Sequence, residues 1–267
     1  MFDIQGKTVV MTGATGVLGS SIAKYLASQG ASLVLIGRNE EKGAALVSDI
    51  SETGGKAIFL KGDVLNESDM ESAKCRVMSE FGGVDVLLNA AGGNMAAANV
   101  QPDQSVFDLD IEAMRKVCDV NIFGTVIPTK VFLRPMVESG RGVILNFCSM
   151  SSFRPLTRVA GYSIAKAGIA RWTEWLAAEL ASKYGDSFRV NAIAPGFILS
   201  EQNRSLLLNE DGSLSARSEK ILGHTPFGRF LEADELLGCV HYLISDASKA
   251  VTGTVSVVDG GFNSFSI

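Results

Sequence analysis

The strongest constraint on the fold of this chain is a regular alternation of short apolar runs with longer segments of helical spacing. The runs "TVVMTG" (8–13), "SLVLIG" (32–37), "KAIFLKG" (56–62), "VDVLLNAAG" (84–92), "GVILNFCS" (142–149), "FRVNAIAPG" (188–196) and "VSVVDGG" (255–261) each end in small or turn residues. Runs without polar alternation read as parallel strands buried on both faces. Between them, residues 18–29, 40–52, 68–81, 111–137, 162–184 and 233–244 carry apolar side chains at helical intervals. A parallel pair needs a crossover, and the crossover is right-handed, so this order predicts an α/β fold: one doubly wound, seven-stranded parallel sheet with helices on both faces. In such sheets ligands bind beyond the carboxyl ends of the strands.

A length of 267 residues suits one domain of this class, so residues 1–267 are read as a single unit. The long polar and mixed segment 197–228, between the sixth and seventh strands, is the expected substrate lid. A net charge of −5 without a basic cluster argues against nucleic-acid and anionic-membrane partners, both of which need a localised positive field. Cys75, Cys118, Cys148 and Cys239 are scattered, lack CxxC spacing and are joined only by His224 and His241. Neither a metal site nor a disulfide framework is expected, and a reducing cytoplasm fits best. The start shows no cleavable apolar leader, and no later run reaches the ~18 uncharged apolar residues of a membrane span. The expectation is a soluble protein acting on a small molecule.

The first strand runs into "TGATGVLG", with Gly13, Gly16 and Gly19 at the turn and Thr15, Val17 and Leu18 between them. Glycines there permit a tight turn, let backbone amides approach a pyrophosphate, and leave the positive end of a helix facing it. With the alternation, this gives a Rossmann-type dinucleotide-binding sheet. The second strand ends in Gly37-Arg38-Asn39, where an acid would accept from an adenosine ribose hydroxyl and repel a 2′-phosphate. A small residue followed by arginine favours NADP(H), with Arg38 on the phosphate. Stacking of Arg38 on adenine, or exposure to solvent, leaves NAD(H) open.

Tyr162 and Lys166 stand four apart on one face of a helix, and Ser149 ends the fifth strand at the carboxyl rim. A free tyrosine titrates near ~10, so proton exchange at neutral pH asks for a stabilised phenolate. A neighbouring ammonium and a positive nicotinamide ring can supply that. The chemistry expected of the three groups is proton transfer coupled to hydride transfer.

With these motifs goes a resemblance to the short-chain dehydrogenase/reductase family over essentially the whole sequence. It is carried by the glycine turn, Asp63 in "GDV", "NAAG" (89–92), Asn121 in "VNIFGT", Ser149, the Tyr162/Lys166 pair, "APGFI" (194–198) and Asp259 in "VDGG". The resemblance implies that Tyr162 is the general acid/base and that Ser149 polarises the substrate oxygen. Lys166 would lower the tyrosine pKa and hold the nicotinamide ribose, while Asn121 would anchor a proton-relaying water. It also implies that Asp63 and Val64 contact adenine, and that Asn89, Ala90 and Gly92 line the cofactor. Pro195, Gly196, Ile198 and Ser200 would border the nicotinamide, the last two at its carboxamide. Val17, Ala90 and Ser200 depart from the family's usual glycine, asparagine and threonine.

A narrower resemblance, in "NAAGGN", "PLTRVAGYS", "APGFILSEQNRSLLLNEDGSLSAR" and "HTPFGRF", is to the D-mannonate oxidoreductases, or fructuronate reductases, within that family. It implies a sugar acid as substrate, with Asn94, Arg154, Arg158, Gln202, Asn203 and Arg204 as candidate contacts and one arginine on the carboxylate. Asn94 can equally cap its own loop. Members of that group commonly carry an acid where Gly37 stands and use NAD. Other readings are a reductase of 5-ketogluconate or of a 3-oxoacyl thioester, and a non-catalytic nucleotide-binding protein. Cys148 is expected in the core, His224 in a structural or surface role, and Trp172 and Trp175 in packing or subunit contact. A homotetramer or homodimer built on the helices near Ile111 and Tyr162 follows from the resemblance alone.

Overall fold

The computed structural model describes residues 1–200 and 203–266. In sequence order it contains β1 (Thr8–Thr12), α1 (Val17–Ser28), β2 (Ser32–Gly37), α2 (Glu40–Glu52), β3 (Lys56–Lys61), α3 (Glu67–Phe81) and β4 (Val86–Asn89). Then follow α4 (Ile111–Cys118), α5 (Gly124–Ser139), β5 (Gly142–Phe147), α6 (Ala160–Tyr184), β6 (Phe188–Pro195), α7 (Arg204–Leu207), α8 (Ala216–Gly223), α9 (Leu237–Ile244) and β7 (Val255–Val258). The strands form one parallel sheet in the order β3-β2-β1-β4-β5-β6-β7. The backbone winds outward from β1 to β3, returns to β4 and winds the other way. The crevice between β1 and β4 is therefore the switch point at which such sheets bind ligands.

Strand residues alternate between two cores. Val9 and Met11 of β1, Leu33 and Leu35 of β2, and Val86 and Leu88 of β4 pack with Ile22 and Leu26 of α1, Leu46 and Ile50 of α2, and Leu243 of α9. Val10, Val34, Ile36 and Leu87 face the other way, onto Met70 and Val77 of α3, Phe132 of α5 and Leu176 of α6. Because both faces of the central strands are covered, no polar alternation marks them in the sequence. The edge strands differ from the expectation of full burial: β3 and β7 are half-buried, with Val257 exposed, because each has a hydrogen-bonded neighbour on one side only.

The segment expected as one helix over 111–137 is broken. Between α4 and α5, Asp119–Phe123 form a π turn. The wider turn brings Asn121, which is fully buried, to the inner side of the helix pair. Its amide donates to the carbonyls of Val117 (2.8 Å) and Gly93 (2.7 Å), and its oxygen accepts from the Gly93 N–H (3.1 Å).

Beneath the carboxyl rim runs a buried polar ladder. Asn89 and Asn146 sit in register on β4 and β5. The Asn89 amide donates to Asn146 Oδ1 (2.9 Å) and to Thr129 Oγ1 (2.9 Å) of α5, and the Asn146 amide donates to Thr173 Oγ1 (2.9 Å) of α6. Farther along, Arg189 of β6 donates to the carbonyls of Leu243 (2.8 Å) and Ser245 (3.0 Å) and to Ser248 Oγ (2.8 Å). That clamp ties the sheet to the end of α9. The described residues of 197–228 include α7 and α8, joined by an antiparallel bridge between Leu208 and Leu214, with Leu206, Leu207 and Arg217 on the rim cavity.

Candidate active site

A cavity of about 880 Å³ lies along the carboxyl ends of the central strands. At one end is the glycine turn. Gly13 has φ +68°, and a Cβ there would meet the Ala90 carbonyl carbon at 2.6 Å; a Cβ on Gly19 would meet the Gly13 oxygen at 2.4 Å. Only glycine fits these two positions, because one is left-handed and the other is crossed by backbone. Gly16 caps α1 without a side-chain hydrogen bond, so the first backbone N–H groups of the helix present their positive end to the cavity. Thr15, Val17 and Leu18 line the same end.

Arg38, Asp63 and Val64 continue the wall, and Lys42 joins them. Arg38 and Lys42 form no ion pair with an acidic side chain among the described residues. Asn39 caps α2 through the Lys42 N–H (2.9 Å), which sets that first turn against the cavity. Ala90, Gly92, Pro195, Gly196, Ile198 and Ser200 border the middle of the cavity. Asn89, expected to line it, does not: its side chain is 1% exposed and belongs to the ladder below. Asn121 likewise stands behind the cavity wall, its amide spent on Gly93 and Val117.

At the other end Ser149, Tyr162 and Lys166 converge. Ser149 leaves β5 in extended backbone and accepts from the Ser151 N–H (3.3 Å) at the start of a short 3-10 turn. Lys166, 6% exposed, donates to the Phe147 carbonyl (2.7 Å), and its Nζ lies 5.6 Å from the Tyr162 ring centroid. Burial pushes the Tyr162 phenol up from its ordinary value, and the Ser149 hydroxyl beside it opposes that. Burial also pushes Lys166 down to about 8. Cys148 is buried in a small core between β5 and α6, and its thiol is pushed up to about 11 by burial, unsuited to a nucleophile.

The expected substrate contacts divide. Asn94 lines the cavity but donates to Asn99 Oδ1 (2.7 Å), and so caps its own loop. Asn203 also lines it, with its amide bridging the Ile198 carbonyl and the Ser200 N–H (both 2.8 Å). Arg154 lies outside, bonded to Asn263 Oδ1 (3.2 Å) and to that residue's carbonyl. Arg158 is also outside: it braces the Val100 carbonyl (3.2 Å) and Gln101 from a left-handed backbone, φ +76°. Arg204 is exposed and off the cavity, and Gln202 lies outside the described residues. A further arginine, Arg217 of α8, reaches the cavity instead, with Leu156, Val159, Leu206 and Leu207 also on its wall. The sequence does not single it out; the Ser215 helix cap opening α8 inside the lid is the one local signal near it. His224 is exposed against Phe262 and Phe265, while Trp172 and Trp175 stack at 5.2 Å on the far part of α6.

The family model of the short-chain dehydrogenases matches residues 7–211. The protein belongs to the short-chain dehydrogenase family. It is 40% identical to the uncharacterised oxidoreductase UxuB of Bacillus subtilis, over 99% of this chain and 97% of that one. A crystal structure of a candidate D-mannonate oxidoreductase from Haemophilus influenzae with bound NAD superposes with a TM-score of 0.92, at 40% identity, covering 99% and 97% of the two chains. A gluconate 5-dehydrogenase from Burkholderia cenocepacia, in complex with NADP and tartrate, gives 0.87 at 29% identity, covering 99% and 98%. The protein is accordingly an NAD(P)-dependent dehydrogenase/reductase, and the bare helix end, glycine turn and Arg38–Lys42 wall fit a dinucleotide. Among the described residues no helix is long and apolar enough to cross a membrane.

Proposed function

We propose that this short-chain dehydrogenase interconverts a secondary alcohol and a ketone on a sugar acid, D-mannonate and D-fructuronate foremost, and prefers NADP(H). The observation that carries the reading is one cavity with a proton-transfer pair at one end, a dinucleotide turn at the other, and the Arg217 guanidinium on its wall, bonded to Thr157 just before the helix of the pair. That the Haemophilus and Burkholderia relatives are named for D-mannonate and gluconate supports an aldonate.

A nicotinamide held in this cavity would supply the hydride acceptor for oxidation and the hydride donor for reduction. Tyr162 takes the hydroxyl proton on its phenolate oxygen as the C–H bond breaks, and gives it back in reduction. Ser149 donates to the substrate oxygen and steadies the phenolate. Lys166, anchored by Phe147, holds positive charge beside the pair, and Asn121 fixes the Gly93 loop that walls the site. Gly13, Gly16 and Gly19 admit the pyrophosphate. The preference for NADP(H) rests on Arg38 and Lys42, two cations free of acidic partners among the described residues, beside Gly37, where no carboxylate repels a 2′-phosphate. Association of copies through the α4–α6 face is part of the same reading, since Ile111, Phe123, Ile164 and Trp175 are each more than half exposed there. Light scattering tests it; a monomer at micromolar concentration overturns it.

The test of function is reduced-nicotinamide absorbance with D-mannonate, D-gluconate and related aldonates, each with NADP⁺ and NAD⁺. Turnover of D-mannonate, faster with NADP⁺, is expected. Silence toward every aldonate in both directions overturns the substrate, and faster turnover with NAD⁺ overturns the cofactor preference.

A further inference from the structure

The substrate end of the cavity carries an unbalanced charge. Its polar groups near Tyr162 are neutral or cationic, and the acid that lines the cavity, Asp63, stands at the glycine-turn end beyond β3. Arg217 reaches this end from α8 and donates through one Nη to Thr157 Oγ1 (3.0 Å). Of its five N–H donors that uses one, on a neutral acceptor. It forms no ion pair among the described residues, and burial together with the Arg158 guanidinium nearby lowers its pKa from the ordinary value. A half-buried guanidinium beside a second cation, with most donors unspent among the described residues and apolar walls around it, is set to bind an anion with planar, paired oxygens. Leu156, Val159, Leu206 and Leu207 exclude water from that contact and strengthen it.

We infer that Arg217 binds the carboxylate of the substrate and so makes this dehydrogenase selective for sugar acids over neutral polyols and aldoses. The inference rests on the sugar-acid reading above and deepens it. Arg154, Arg158 and Arg204 are not the clamp: the first two are committed to Asn263 and to Val100 and Gln101, and none of the three lines the cavity. Arg158 acts behind it, fixing the loop at Val100 and adding its charge. Because Thr157 precedes the helix that carries Tyr162, and Arg217 sits in the lid, a carboxylate at Arg217 also draws the lid onto the catalytic helix.

The test separates binding from turnover. In a Tyr162→Phe background with saturating NADP⁺, D-mannonate and its neutral amide, D-mannonamide, are titrated calorimetrically into the protein with and without Arg217→Gln. The expected result is a roughly 10- to 100-fold loss of D-mannonate affinity on Arg217→Gln, the worth of a charge-assisted hydrogen-bond pair, with D-mannonamide and NADP⁺ affinities unchanged. Arg217→Lys restores part of the loss. In the Tyr162 enzyme, the same substitution raises the KM for D-mannonate by a similar factor while kcat falls less. Equal D-mannonate affinity with and without Arg217→Gln, at unchanged melting temperature, overturns the clamp and leaves the sugar-acid reading standing. D-mannonate binding to neither protein, while NADP⁺ binds both, overturns the two together.

Discussion

Lys166 is held where a lysine is costly. Its ammonium sits in a buried site with, among the described residues, the Phe147 carbonyl for a partner, and burial lowers its pKa to about 8. The unfolded protein binds that proton more tightly than the folded one, so the native state gains stability as pH rises from about 8 toward the ordinary lysine value of 10.5, and carries the full cost below 8. Replacing Lys166 with Met removes that cost and the Phe147 hydrogen bond together. The expected net result is a gain of about 1–2 kcal/mol in unfolding free energy near pH 7, shrinking toward pH 10, with activity lost. Urea titrations of the two proteins at pH 7 and pH 10 check it; a destabilised variant at pH 7 refutes it. Ser149 gives a second prediction. Its hydroxyl is the group that opposes the burial-raised pKa of Tyr162. Ser149→Ala moves the rising limb of the pH profile for alcohol oxidation to higher pH, and lowers kcat by about 10²–10⁴-fold. A reduced rate with an unshifted limb would confine Ser149 to polarising the substrate.

The elements stay in place through the polar ladder under the rim. Asn146 links β4 to α6, the helix that carries Tyr162, through Asn89 and Thr173, and is fully buried. Asn146→Leu keeps the volume but strands the Asn89 and Thr173 groups, and should cost about 2–3 kcal/mol by chemical denaturation. A cost below about 0.5 kcal/mol would mean the ladder is filled by other partners. Much of this level is legible in the sequence. Strands, helix ends and the glycine turn declare themselves because local sterics and apolar periodicity fix them, and Tyr162 and Lys166 pair because the helix period demands it. Asn89 lies a layer deeper than its motif suggests: a residue at a strand end can face the cavity or the core, and that depends on the register with Asn146, a long-range fact. The π turn is hidden for a similar reason, since residues 111–137 keep helical spacing across it. Arg217 is invisible to a sequence reading because its nearness to Tyr162 depends on how the lid folds back, which no local signal encodes.

The whole molecule is closed by Arg189, which joins the sheet to the corner after α9 through two carbonyls and a hydroxyl. Arg189→Met takes three donors from these buried acceptors and leaves the Leu243 and Ser245 carbonyls only a shared Ser248 hydroxyl, so a loss of about 2–4 kcal/mol is expected, read as a lower melting temperature with unchanged KM in the surviving fraction. A variant as stable as the parent would show that the corner holds by packing alone. The two-sided alternation of the strands has another consequence at this scale. Adding one residue inside β1, β2 or β4 would move every side chain beyond it from one core to the other, so descendants of this sequence change length most readily in the connections. The connection bearing Arg217 lines the cavity and lies outside the strands, while the dinucleotide turn is locked against backbone at Gly13 and Gly19. Evolutionary drift in what the protein recognises is therefore channelled into the lid, while the redox chemistry is inherited unchanged.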